Sequence, residues 1–193
     1  MLAMPAFVRA RAASAHVVVV GGGFGGATAA RYLRQLAPEV KVTLVEPATR
    51  FYTCPFSNLY LGGLRSFESI GHGYDGLRAD GVEVVHARAE DVDATARTVR
   101  LSNGRTLKWD RLVLSPGIDF RWDALPGYDE AASWIAPHSW KAGKQTQLLY
   151  RQLRAMPDGG TFVMVIPDLP YRCPPGPYER ACMVAHYFKQ NKP

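Results

Sequence analysis

Three cysteines, Cys54, Cys173 and Cys182, are all that the 193 residues contain, and no two of them stand as C-x-x-C. The five histidines show no ligand spacing either, so nothing in the pattern calls for a zinc or haem site. No apolar run approaches the roughly 18 residues that a membrane-crossing helix needs. No RNA- or DNA-binding motif accompanies the 23 Lys and Arg, which exceed the 17 Asp and Glu to give a net charge of +6. They are spread along the chain, so the excess reads as solvated surface with a mild bias toward acidic partners and not as a nucleic-acid footprint. With 47% hydrophobic and 21% charged residues, the composition is that of a globular chain with one good core and the start of a second domain.

The first 15 residues, "MLAMPAFVRARAASA", carry no periodic pattern. Ala13-Ser14-Ala15 fits the A-x-A rule for signal cleavage, yet "MLAMPAFV" is a poor apolar core for a signal. A tail and a signal-peptide remnant both remain open. Structure begins with "HVVVV" (16–20), a β-branched run suited to a strand buried on both faces. "GGGFGG" follows, in which Gly21, Gly23 and Gly26 satisfy G-x-G-x-x-G, and "ATAARYLRQLA" then reads as a helix. The three glycines allow a tight turn, close approach of backbone to a pyrophosphate, and close packing of helix on strand. The helix N-terminus offers its N–H groups and dipole to phosphate. "KVTLVE" (41–46) reads as the second strand and ends in Glu46, twenty residues past Gly26. A carboxylate there accepts hydrogen bonds from a ribose and disfavours a 2′-phosphate. The alternative is a purely structural glycine turn. Strand, helix and acid together favour dinucleotide binding, with FAD and NAD both open.

"VEVVHAR" (82–88) reads as a third strand, and "RTVRLSNGRTLKWD" alternates on either side of the Asn103-Gly104 turn signal. "RLVLSPG" (111–117) is a further buried strand that ends in the turn containing Ser115 and Gly117. The connection after the third strand is therefore a small β-meander instead of a helix. This layout resembles the FAD domain of the glutathione-reductase-like flavoproteins with two dinucleotide domains. The resemblance implies an α/β fold in which residues 16–157 form a Rossmann-like FAD-binding domain, a parallel sheet plus a β-meander crossover. It implies FAD over NAD, with Gly21, Gly23, Gly26, Glu46, Ser115 and Gly117 at the cofactor.

Between the second strand and the following helix lies "PATRFYTCPFSNLYLGGLRS" (47–66), which reads as one long loop. Loops of this length are usually functional or disordered, and Phe51, Tyr52, Phe56 and Tyr60 argue against disorder. By chemistry alone, Cys54 in this loop reads as a small buried hydrophobe. "KAGKQTQLLYRQLRAM" (141–156) reads as a helix stopped by Pro157 and Gly159-Gly160. "TFVMVI" (161–166) then reads as a buried strand and "YERACMVAHYFK" (178–189) as a helix, with Tyr178, Ala181, Ala185 and Phe188 on its apolar face and Cys182 a buried thiol. The turn between them, "PDLPYRCPPGP" (167–177), has one glycine, and its prolines lack the N–H groups that would bind a diphosphate. Nothing there supports nicotinamide binding, and the turn carries Cys173 instead. Residues 158–193 thus read as the beginning of a second dinucleotide-type domain. Glu179 sits where an acid stabilises a helix N-terminus.

"YTCPFSN", "ESIGHGYDGLRADGVEVVHA", "PHSWKAGKQTQLLYRQLRAMPDGGT" and "YRCPPGPYERAC" occur in this order. Together they resemble the flavoprotein subunit of flavocytochrome c sulfide dehydrogenase, from about His16 to the last residue. The sulfide:quinone oxidoreductases share the fold and a cysteine-based reaction but do not usually carry this set of strings. The resemblance implies that Cys54 is bonded through sulfur to the 8α-methyl of FAD, and that Cys173 is one half of a redox-active disulfide beside the flavin. Sulfide would attack that disulfide to give a persulfide and a thiolate. Two electrons would pass to FAD and then singly to a c-type cytochrome partner. Glu179 matches a residue proposed in the family as a proton handler, and its dipole role stands beside that one. The resemblance also implies a periplasmic location, where a disulfide persists. Members of the family continue for roughly as many residues again and supply the second redox cysteine there, so an N-terminal half is expected here. The alternatives are a sulfide:quinone oxidoreductase and a non-catalytic FAD-binding fragment.

Overall fold

A computed structural model describes residues 14–138, 140–166, 171 and 173–192. The expected tail or signal remnant at 1–15 therefore lies almost wholly outside the described residues, as do positions 167–170 and 172 of the proline-rich turn. In chain order the elements are β1 (His16–Val20), α1 (Phe24–Leu36), β2 (Lys41–Val45), β3 (Phe51–Tyr52), α2 (Cys54–Leu61), β4 (Gly71–His72), α3 (Asp75–Ala79), β5 (Glu83–Val85), β6 (Ala89–Asp93), β7 (Thr98–Leu101), β8 (Thr106–Lys108), β9 (Arg111–Leu114), α4 (Lys144–Ala155) and α5 (Gly176–Asn191). They fall into two compact units. The first runs up to Thr49 and takes in Gly73–Gly117; the second comprises Arg50–His72 and Ile118 onward.

In the first unit β5, β2, β1 and β9 form a four-stranded sheet in that order, with every neighbouring pair parallel. Both faces of such a sheet are covered, which is why β1 and β2 are runs of valine, leucine and threonine instead of alternating sequences. Val18, Val19 and Leu44 have no exposed surface at all. Burying one such side chain contributes about 1.5–3 kcal/mol. β6, β7 and β8 form a separate antiparallel sheet, the expected meander, whose Val99, Leu101 and Leu107 pack with Val18, Val45 and Val85. Gly104 turns its hairpin with φ +81°, a conformation that glycine adopts without strain. The parallel α/β sheet with a meander crossover stands as read from the sequence.

The second unit is mainly helical. α2 packs on α4 and on α5 around Leu61, Leu149, Leu153, Val184 and Tyr187. Three expectations need correction here. The stretch 47–66 is not one loop, since it contains β3, which pairs antiparallel with β4, and the eight-residue α2. Pro55 in the first turn of α2 costs nothing, because a proline's missing N–H falls among the unpaired donors of a helix start. The run 161–166 forms no strand. Val163 and Val165 are exposed while Phe162 and Met164 are half-buried, so the alternation of a strand is present but no described segment pairs with it. Cys182 is exposed and not buried. The buried stripe of α5 runs through Arg180, Val184 and Tyr187, and a residue two places beyond Arg180 points to the far side of the helix. Tyr178, Ala181 and Ala185 are likewise exposed, and of the expected apolar face Phe188 alone is partly buried. No helix among the described residues is long and apolar enough to cross a membrane.

Candidate functional site

The first unit gathers Gly21, Gly23, Gly26, Glu46 and Ser115 at the ends of its parallel strands. The glycine turn leaves β1 with Gly21 at φ +99°, and a β-carbon on Gly21 would lie 2.0 Å from the Ser115 carbonyl oxygen. Gly26 is tighter still, because a β-carbon there would sit 1.8 Å from the Gly21 oxygen. Gly23 is the N-cap of α1, with extended backbone, no side-chain cap and no acid in the first turn. The start of α1 is thus left to whatever anion meets it. Glu46 reaches over the turn. Its Oε2 accepts from the Gly22 N–H at 2.7 Å and its Oε1 from the Ala48 N–H at 2.9 Å. The buried Tyr74 hydroxyl donates to the Gly22 carbonyl at 3.1 Å, and burial together with the Glu46 carboxylate pushes its pKa up to about 12. Gly117, three residues past β9, has φ +78° and open space where a side chain would go. A backbone cradle that any β-carbon would fill, opening onto an uncapped helix and flanked by a fixed carboxylate, fits a dinucleotide.

The second unit brings together Cys54, Cys173 and Glu179 around the facing ends of α2 and α5. Thr53, which precedes α2, is buried and spends its hydroxyl on the Ile70 carbonyl at 3.2 Å, so no side chain caps that helix. Cys54 is its first residue. The thiol donates to the Trp140 carbonyl at 2.8 Å. The buried Ser57 donates to the Cys54 carbonyl at 2.6 Å and accepts from Arg180 Nη2 at 3.1 Å. Arg180 itself is only 5% exposed. Asn58 Nδ2 donates to Glu179 Oε2 at 3.2 Å, a second tie between α2 and α5. Burial pushes the Cys54 thiol above its ordinary range; the Arg180 guanidinium and the Ser57 hydrogen bond pull it back, and Cys173 pushes it up again. Cys173 is therefore near enough for its charge to act on Cys54. All three cysteines are free thiols.

Cys173 is exposed and has φ +55°, one of two non-glycine residues in the left-handed region among those described. It also precedes Pro174, and a following proline normally holds a residue in extended conformation. The turn is closed by the Gly176 N–H donating to the Cys173 carbonyl at 2.8 Å. Holding a non-glycine residue there costs about 1–3 kcal/mol.

Sequence reasoning missed Arg180, Ser57 and His138. A cation on the buried stripe of α5 was the available signal for the first, had that stripe been placed one residue earlier. His138 packs against the ring of Phe120 at 4.3 Å between centroids. Burial, with help from Lys141 and Arg180, lowers its pKa to about 4, against a smaller upward pull from Asp119.

Residues 15–153 match the family model of the pyridine nucleotide-disulphide oxidoreductases, and residues 146–193 match that of the central part of the sulfide dehydrogenase (flavocytochrome c) flavoprotein chain. Over 43 residues the chain is 74% identical to the sulfide dehydrogenase (flavocytochrome c) flavoprotein chain of Chlorobaculum thiosulfatiphilum, covering 22% of this chain and 90% of that sequence. Over 179 residues it is 34% identical to the sulfide-quinone reductase of Aquifex aeolicus, covering 91% of this chain and 40% of the relative. The solved structure of the Aquifex aeolicus sulfide:quinone oxidoreductase superposes with a TM-score of 0.63 at 28% identity, over 73% of this chain and 32% of that one. The chain thus spans about 40% of the length of that curated relative.

Proposed function

This chain belongs to the pyridine nucleotide-disulphide oxidoreductase family and carries the central segment of the flavocytochrome c sulfide dehydrogenase flavoprotein, and from that premise we propose that it is part of a flavin-dependent sulfide dehydrogenase. The observation that carries the reading is the convergence of Cys54, Cys173 and Glu179 on the ends of two helices, with Cys173 and Glu179 in the segment that matches that flavoprotein's model.

In this reading the glycine turn, Glu46 and the start of α1 hold the dinucleotide part of FAD. Bound FAD supplies a two-electron acceptor for sulfide oxidation. Cys54, already at the start of a helix and hydrogen-bonded to the Trp140 carbonyl, is the residue that anchors the flavin covalently. Cys173, exposed on a turn that cannot relax easily, is one half of a disulfide whose other cysteine is not among the three of this sequence. Sulfide attacks that disulfide; an S–S bond breaks, a persulfide forms on one cysteine and the other leaves as thiolate. Glu179, anchored by Asn58, takes or returns the proton. The electron acceptor is a c-type cytochrome and the location is periplasmic. Quinone as acceptor is the second reading, favoured by the 34% identity to the Aquifex aeolicus sulfide-quinone reductase.

Steady-state turnover with sulfide tests the choice. The reading expects cytochrome c to be reduced at a rate that rises with sulfide, and a soluble quinone to be reduced poorly. Efficient quinone reduction with idle cytochrome c contradicts it.

A further inference from the structure

Arg180 is a guanidinium on the buried stripe of α5, which it shares with Val184 and Tyr187. Charged side chains are almost never fully buried unless a partner makes the position worthwhile. One of its hydrogen bonds leads to Cys54. Nη2 donates to Ser57 Oγ at 3.1 Å, and that same hydroxyl donates to the Cys54 carbonyl at 2.6 Å. Ser57 is itself 1% exposed, so the relay is shielded from water. The influence runs in both directions, because the charge of Arg180 favours the thiolate of Cys54 and that thiolate favours a charged Arg180. Asn58 and Glu179, one residue along on each helix, tie α2 to α5 and fix the distance between the two groups.

We infer that Arg180 is a positioning residue for Cys54: held by Ser57, its buried guanidinium keeps the Cys54 sulfur available as a thiolate nucleophile in a site whose burial opposes that charge. The inference rests on the reading of Cys54 as flavin anchor for its purpose, but not for its test. In low dielectric a cation a few ångströms away is the main thing that makes a thiolate affordable. Arg180→Met keeps length and burial and removes the charge. Arg180→Lys keeps the charge and gives up the planar fork.

The test compares the parent protein with Arg180→Met and Arg180→Lys. Intact mass under denaturing conditions counts the molecules that carry flavin on Cys54. The flavin-free molecules of the same native preparations are treated with iodoacetamide, in which the thiolate displaces iodide to form a thioether. Peptide mapping then gives the rate at Cys54 relative to the exposed Cys182. The expected result is a loss of about fivefold or more at Cys54 in Arg180→Met, with the rate at Cys182 unchanged and Arg180→Lys within about twofold of the parent. Equal Cys54 rates in the parent and Arg180→Met overturn the inference, as does an equal loss in both variants, which would mean packing and not charge. A parent fully occupied by flavin moves the comparison to the flavin count. A parent with none removes the anchor reading and leaves labelling to decide on Arg180. If Arg180→Met does not fold, Ser57→Ala takes its place, with a loss of about threefold expected at Cys54 and an unchanged rate overturning the inference.

Discussion

Gly21 and Cys173 each stand shortly before a helix, and each has positive φ, +99° and +55°. At Gly21 the demand is met by having no side chain, and the position costs nothing. At Cys173 a side chain is kept where backbone sterics disfavour one. The two sites differ in the same way. The first is made from backbone that side chains must stay out of, while the second is made from side chains buried against their own preference, Arg180 foremost. At the second site strain and buried charge collect where chemistry at a side chain is required, and the glycine turn of the first site has neither.

Several changes break or sharpen that contrast. The largest effect is expected from Gly26→Ala, because the added β-carbon would meet the Gly21 oxygen at 1.8 Å, and backbone cannot step aside as a flexible side chain could. A loss of about 3 kcal/mol is expected, read as a fall in the denaturant midpoint together with lost flavin. An unchanged midpoint would mean that the cradle is looser than the geometry says. Glu46→Gln should cost about 1–2 kcal/mol, since two N–H donors lose a charged acceptor, and should weaken FAD binding in a titration.

The response to pH separates the units next. Tyr74 ionises near 10 when unfolded and near 12 when folded, so its contribution is whole below pH 10 and is lost as pH climbs toward 12. His138 titrates near 6.5 unfolded and near 4 folded, so its contribution is whole above pH 6.5 and is lost as pH falls toward 4. Each limb has a slope of at most about 1.4 kcal/mol per pH unit. Tyr74→Phe should flatten the alkaline limb and His138→Gln the acid limb of a stability curve, and a variant that flattens neither removes its residue from the account. The smallest effect is a gain: Cys173→Gly should raise stability by about 1 kcal/mol in thermal melts, by relieving the left-handed backbone. A loss of stability on that change would mean that the thiol has a packing role.

The same contrast decides what could be read from sequence. The glycine turn, Glu46 and the meander are local signals, in which the spacing of residues along the chain is the geometry itself. The relay from Cys54 through Ser57 to Arg180 joins residues 123 apart, and no local pattern announces it. α2 is hidden because its sequence, "CPFSNLYL", has a proline as its second residue and is followed by two glycines, so the punctuation of a loop outweighs a helix that packing supports. The run 161–166 shows the reverse, for strand propensity without a neighbour makes no ladder. The face of α5 lies one residue away from the expected one because an arginine heads its buried stripe.

The most direct test of sulfide chemistry at Cys173 is anaerobic addition of sulfide to the flavin-loaded protein, following the visible absorbance of the flavin, in the parent and in Cys173→Ser. The account predicts rapid bleaching in the parent and none on the same timescale in the variant. Bleaching at the parent's rate in Cys173→Ser would contradict it.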